Sequence, residues 1–414
     1  MEALALNLLP DGVEHDQLGR SYLHSRQLLT LDRAWGVGEN ATGWTAQCTV
    51  NSMSSKRRAA LRNRGTAENP PNRFQTIAYE PDPGLDDTDA PSPRTRFLQD
   101  CSRSLITYND SPDVGFSASI NPYRGCEHGC IYCYARPTHE FFGLSAGLDF
   151  ESQIFVKEKA PELLRQELLA KKWEPQVVAM STVTDPYQPI EGRSKLARGC
   201  LEVLAEFRNP VGIITKNHLV KRDIDWLKKL HRFNACSVFL SITTLCNELH
   251  RVLEPRTCQP IRRLEAIREL TAAGIPVGVL VAPVLPGLSD HELPEILESA
   301  ARAGATRAGY VMLRLPHAVR KLFADWLQQH YPDRREKVLS RVRSVRDGRL
   351  NDTQWGRRMR GQGIFAEQIE QLFTVTCAKL GLNRGHHELS AEHFRRPGAQ
   401  QLTFFDSPSD GPDQ

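Results

Sequence analysis

The sequence predicts an α/β fold: a partial (β/α)6 barrel with a helical C-terminal extension and a largely irregular N-terminal segment. Three observations lead there. From about residue 115, short β-rich runs alternate with stretches of helical periodicity, the pattern of repeated β-α units over a parallel sheet. After Pro316 the β-rich runs stop while helical text continues to about Leu380. Before about residue 105 neither period is sustained.

The leader, residues 1–105, holds isolated apolar residues, a basic run from Lys56 through Arg62 and Arg64, and an acidic, proline-rich stretch from Pro81 to Pro93. Such text buries too little apolar surface to repay its ordering entropy, so most of it is expected to be irregular. Met53, which opens the basic segment, is a candidate for the true start. The core is expected over 106–316. Its strands are predicted at 116–120, 176–180, 211–215, 237–241, 277–281 and 309–313, with helices at 161–173, 194–207, 220–230, 261–273 and 290–303. Right-handed crossovers between parallel strands curl such a series toward a barrel, whose chemistry sits at the C-terminal strand ends. A basic helical extension follows over 317–395, then a flexible tail rich in Pro, Gly, Ser and Asp over 396–414.

The formal net charge of +4 over 414 residues is too small to imply nucleic-acid binding by its total. Ten cysteines are far too few for a disulfide scaffold, and three of them fall within eight residues, which reads as a reduced intracellular protein with one metal site. No segment reaches the roughly 18 apolar residues of a membrane span. The first residues include an acidic side chain and lack the basic region of a signal peptide, so a cytoplasmic protein is expected.

Directly after the first predicted core strand comes Asn121-Pro-Tyr-Arg-Gly-Cys126-Glu-His-Gly-Cys130-Ile-Tyr-Cys133. Three thiols at Cys-x3-Cys-x2-Cys spacing, with Gly125 and Gly129 to let the backbone curl, suit a soft metal centre. Two readings of the residues stay open at this point. One is a 4Fe-4S cluster on Cys126, Cys130 and Cys133, whose fourth iron lacks a protein ligand and is open to a small molecule. The other is a zinc site that adds His128.

The spacing, with Tyr132 just before the third cysteine, resembles the signature of radical S-adenosylmethionine (SAM) enzymes, and the flanking text resembles the branch related to spore photoproduct lyase. Ser181-Thr-Val-Thr-Asp185-Pro-Tyr-Gln188, Ile214-Thr-Lys216, Ser241-Ile-Thr-Thr244 and Leu253-Glu254-Pro-Arg256, each after a predicted strand, extend the likeness from about Tyr108 to Pro316. The resemblance implies a radical SAM barrel, a 4Fe-4S cluster on Cys126, Cys130 and Cys133, and SAM bound at the open iron. It implies reductive cleavage of SAM to a 5'-deoxyadenosyl radical that takes a hydrogen atom from a substrate, with an electron donor such as flavodoxin or ferredoxin. Candidate SAM contacts are Ser181, Thr182, Asp185, Lys216, Ser241, Arg256 and Tyr132. The sequence departs from the lyase in one respect: no cysteine lies between Cys133 and Cys200 to serve as hydrogen donor, and no catalytic residue beyond the cofactor sites is assigned.

Residues 331–360 carry ten basic side chains against four acidic ones. Arginine dominates, as phosphate recognition favours, so Arg341, Arg343, Arg346, Arg357 and Arg358 are candidate nucleic-acid contacts and nucleic acid the expected substrate class. A protein, peptide or small metabolite is the alternative within the same chemistry; a non-catalytic iron-sulfur protein that binds nucleic acid or senses redox state is the alternative outside it. In the tail, Gln401, Leu402, Phe404 and Phe405 resemble the short peptide by which bacterial repair proteins dock onto the sliding clamp.

Overall fold

The computed structural model describes residues 60–75, 94–385 and 388–397. Met53, the basic run at 56–58 and the peptide Gln401–Phe405 lie outside them.

Among the described residues, ten strands make two sheets. The larger one has the order β10-β9-β8-β7-β6-β3-β2, built from β2 (Ile106–Tyr108), β3 (Ala118–Ile120), β6 (Val178–Met180), β7 (Val211–Thr215), β8 (Cys236–Ser241), β9 (Val277–Val284) and β10 (Arg307–Met312). From β3 to β10 every pairing is parallel, and β2 closes the edge antiparallel to β3. These six parallel strands are the six predicted. They read as continuous apolar runs because helices cover one face of the sheet while the other faces the barrel interior; β8 is buried at every position.

The crossovers are α1 (Ala160–Leu169), α2 (Leu196–Phe207), α3 (Ile224–His231), α4 (Asn247–Leu253), α5 (Pro260–Ala272) and α6 (Leu293–Arg302). Pro161, Pro260 and Pro294 sit in the first turns of α1, α5 and α6, where the missing amide hydrogen costs nothing. Leu164, Leu168, Leu201, Leu204, Leu270 and Leu297 join the strand residues in one core. After β10 come α7 (Val319–His330), α8 (Arg335–Ser344) and α9 (Ile364–Leu380), which ends on Gly381 in the left-handed conformation. In α9, Ile369, Phe373 and Cys377 extend the main core. In α7 and α8, Phe323, Trp326, Val338 and Leu339 share a second core with Ile131 and Tyr132 of the cysteine loop.

The smaller sheet, β1-β5-β4, joins β1 (Arg96–Gln99), β4 (Tyr123–Arg124) and β5 (Gln153–Val156) beside that loop. The described part of the leader at 60–75 is irregular, as expected, and packed against the rest of the chain. Residues 60–75 have no regular secondary structure, yet they are folded against residues 140–151 by hydrogen bonds, with Gly65 and Ala67 buried. Polar contacts to residues 140–151 hold this segment where its own apolar content could not. Among the described residues no helix is long and apolar enough to cross a membrane.

Candidate active site

The cysteine loop leaves β4 at the C-terminal edge of the large sheet. Gly125 and Gly129 take φ of +77° and +66°, which L side chains adopt only under strain, and so turn the chain twice within five residues. Cys126 and Cys130 are each 7% exposed. Burial pushes all three thiols above their usual range; Cys126 lies in the field of Asp185, and Cys130 in those of Glu254 and Lys216.

The backbone around the thiols is tied from several sides. Arg136, fully buried, donates to the carbonyls of Cys130 (3.0 Å), Gly129 (3.1 Å) and Gly147 (2.9 Å) and to Glu151 Oε1 (2.5 Å). Gln188 accepts from the Glu127 amide at 2.9 Å and donates to the Gly125 carbonyl at 3.2 Å. The turn after α4 closes the other side, where Ile131 N donates to Leu253 O and Arg256 N to His128 O.

Polar groups at the ends of β6, β7, β8 and β9 converge beside this loop. Lys216 Nζ donates to Ser241 Oγ (2.8 Å), Thr243 Oγ1 (3.2 Å) and the Ala282 carbonyl (2.9 Å), and lies 3.3 Å from Glu254 Oε1. Glu254 also accepts from Tyr132 Oη and Arg263. Burial alone would raise the Glu254 carboxyl; Arg263, Lys216 and His250 together hold it well below the usual carboxylate range. Burial and the neighbouring Cys130 and Glu254 push the Tyr132 phenol well up, so Tyr132 donates a proton to this network without giving it away.

Cys126, Cys130, Cys133, Tyr132, Asp185, Lys216 and Ser241 therefore meet in one place. Asp185 is enclosed by donors, with Thr215 Oγ1 at 2.7 Å, the Tyr187 and Lys216 amides at 2.9 and 2.7 Å, and His128 Nδ1 at 3.4 Å. Burial works against its ionisation, but His128 and these donors keep its pKa below the ordinary value. Ser181 holds a φ of +90° at the end of β6. Such backbone strain in a side-chain-bearing residue marks a site whose surroundings impose the geometry. The Thr182 hydroxyl accepts from Asn121 Nδ2, while Asn121 Oδ1 gathers the amides of Thr182, Val183 and Thr184. Arg256 turns to Glu127 Oε1 (2.8 Å) and Thr95 Oγ1 (2.9 Å), so its carboxylate partner is a residue of the cysteine loop itself. Cys258 accepts from His218 N and donates to Lys216 O.

Two of the proposed phosphate contacts need correction. Arg346 and Arg358 are fully buried. Arg346 donates to the carbonyls of Met312, Leu313 and Arg357, and Arg358 pairs with Asp113 (2.6 Å) and Ser111 (2.5 Å). A guanidinium enclosed in this way cannot reach a phosphate, because Arg358 would strand the Asp113 carboxylate and Arg346 would leave three backbone carbonyls without their donor. Arg357 is held by Gln354 and Asp352, Arg343 is half-buried on α8, and Arg341 lies 3.5 Å from Asp290 and stacks over Phe365. Sequence reasoning missed Arg136, Glu151 and Arg263, and gave Gln188 no role beyond its place in a family-like segment. Their only signal is a charged or amide side chain in text that folds into a core, and a single sequence does not show which segments those are.

The donor set fits a four-iron cluster: three soft sulfur ligands in one loop, Cys126 and Cys130 buried and Cys133 partly so, with the buried Nε2 of His128 in the same loop lacking a hydrogen-bond partner.

The sequence pattern of the radical SAM superfamily matches residues 120–300. An uncharacterized protein of Mycobacterium tuberculosis is 38% identical over 247 residues, which cover 59% of this chain and 72% of the relative. An uncharacterized protein of Methanocaldococcus jannaschii is 30% identical over 234 residues, 56% of this chain and 84% of that one. A solved spore photoproduct lyase mutant shares the fold with a TM-score of 0.50 at 18% identity, covering 69% of this chain and 80% of its own. With the three-thiol loop at the head of a parallel β-α series, these matches place the chain in the radical SAM superfamily, as an enzyme that uses a 4Fe-4S cluster and SAM.

Proposed function

We propose that this radical SAM enzyme acts on a nucleic acid, in a repair-like lyase reaction. When bound, the cluster and SAM supply a 5'-deoxyadenosyl radical able to take a hydrogen atom from an unactivated carbon; the protein contributes position, electrostatics and exclusion of water. Cys126, Cys130 and Cys133 would hold the cluster. Lys216, Ser241, Thr243 and Ser181 are the polar groups that would face SAM, with Glu254 fixing the position of Lys216 and Tyr132 tying the cluster loop to that network. Asp185 and Thr182 serve the same site from behind, by orienting the backbone after β6. Arg256 braces Glu127. An electron donor of the flavodoxin or ferredoxin class would reduce the cluster.

One observation carries the substrate class. A groove of about 460 Å3 opens between the loop after β9, α8 and α9; it is rimmed by Arg334, Lys337 and Arg341 and floored by Leu288, Phe365, Ile369 and Leu372. The three cations stand near i, i+3 and i+7, so they share one helical face, and Arg334 and Lys337 are exposed. A cationic rim over an apolar floor suits a phosphodiester strand with a base laid on the floor. Exposed Ile364, Leu372 and Val375 on α9 favour a second reading, a peptide substrate.

The deciding experiment reconstitutes the cluster anaerobically, adds SAM and a reductant, and follows 5'-deoxyadenosine with ultraviolet-damaged DNA, intact DNA, RNA or protein extract. Release stimulated by a nucleic acid and weakened by Arg334→Glu/Lys337→Glu is expected. Stimulation by protein alone favours the peptide reading. No release under any condition, with the cluster intact, refutes both.

A further inference from the structure

We propose that the leader segment 64–75 is a working part of the cluster site: a strap that walls off the outer side of the cysteine loop, with Glu151 and Arg136 as the positioning residues that couple it to the thiols. The inference rests on superfamily membership and not on the substrate reading.

The strap is fitted to the loop at close range. At Gly65 an added Cβ would lie 1.9 Å from the Gly129 carbonyl oxygen, so only glycine allows the strap's backbone to rest against the Gly129 carbonyl, beside Glu151 and Arg136. Gly65 N donates to Glu151 Oε2 at 2.9 Å, and Arg64 donates to the Glu151 carbonyl at 2.8 Å. Farther along, Glu68 O accepts from Leu148 N and Pro70 O from Ser145 Oγ. Asn72 donates to the carbonyls of Glu140 and Leu144, and Arg73 pairs with Glu140. Phe74 stacks on Phe141.

Glu151 divides its carboxylate between the strap and the loop. Oε2 takes the Gly65 amide and Oε1 takes Arg136, which in turn holds the carbonyls of Gly129 and Cys130. Both side chains of this pair are fully buried. If the strap lifts, Glu151 loses a donor in a dry site and the guanidinium that fixes the Cys130 carbonyl loses its firm counter-charge. The strap also keeps solvent from the loop. Solvent exposure and outer-sphere hydrogen bonds set the potential of an iron-sulfur centre and the hold of its ligands, so a loosened strap changes both.

The test uses the full-length protein, reconstituted anaerobically, as wild type, Gly65→Val and Asn72→Ala/Arg73→Ala. Iron release to a chelator is followed by the loss of visible absorbance, the midpoint potential by titration, and the fold by circular dichroism. Both variants are expected to release iron about tenfold faster than wild type, the usual effect of losing an outer-sphere partner. The midpoint potential should rise as water stabilises the more negative reduced cluster, with the far-ultraviolet spectrum unchanged. Wild-type release and potential in a folded Asn72→Ala/Arg73→Ala protein overturn the proposal. That variant, distant from Glu151, decides alone if Gly65→Val does not fold.

Discussion

Arg358 is enclosed with Asp113 and Ser111, and Asp113 Oδ1 also accepts the Gly356 amide at 2.6 Å. The pair ties the segment after α8 to the loop between β2 and β3. Replacing the arginine with an apolar side chain of similar length leaves the carboxylate buried and uncompensated, which costs about 3–5 kcal/mol. Arg358→Met should therefore lower the thermal midpoint clearly, yet leave the salt dependence of any nucleic-acid binding where wild type has it. A changed salt slope with unchanged stability would instead put Arg358 on the surface. The rim cations Arg334 and Lys337 should behave oppositely, because neither is buried in an ion pair.

Two elements that frame the site each bury a neutral imidazole. In the segment between the cysteine loop and β5, His139 lies among Phe142, Phe150 and Phe155, with Nε2 donating to the Gln153 carbonyl at 2.8 Å. In α4, His250 Nε2 is 2.8 Å from Thr257 Oγ1, beside Arg263. Burial lowers both pKa values to about 4, helped at His250 by Arg263. The folded chain thus refuses a proton that the unfolded chain accepts below about 6.5. The stability these groups confer is complete above pH 6.5 and is lost as pH falls toward 4, on the order of 3 kcal/mol for each imidazole. The thermal midpoint of the apo-protein should drop across that window, and His139→Phe should flatten the drop. A midpoint constant from pH 6.5 to 4 would contradict the assignment.

At the scale of the whole molecule, parts distant in sequence enclose the cysteine loop together. Residues 60–75 cover one side, the Glu254–Arg256 turn another, and α7 and α8 reach it through the core shared with Ile131 and Tyr132. Trp326 Nε1 donates to Val252 O, so the extension also holds the α4 end of the site. For the tail, we propose that Gln401, Leu402, Phe404 and Phe405 dock onto a sliding clamp. Deletion of residues 398–414 should abolish capture by an immobilised clamp and leave 5'-deoxyadenosine formation unchanged; undiminished capture refutes the docking role.

The sequence by itself determined the order of strands and helices and the identity of the chemistry. Parallel strands covered by helices must be apolar along their length, and three thiols seven residues apart from first to last must share one loop. Lys216 and Ser241 were legible because strand ends of such a fold face one mouth. Only the tertiary structure decided how charge is distributed. Arg346 and Arg358 read like their neighbours in a basic run, but burial against the Met312 and Leu313 carbonyls and against Asp113 turns them into structural ties. The leader showed the same limit in reverse. Its composition promised no core of its own, and residues 64–75 need none, because the partners that order them, Glu140, Leu144 and Glu151, lie 68 to 86 residues away and are brought to them by the fold.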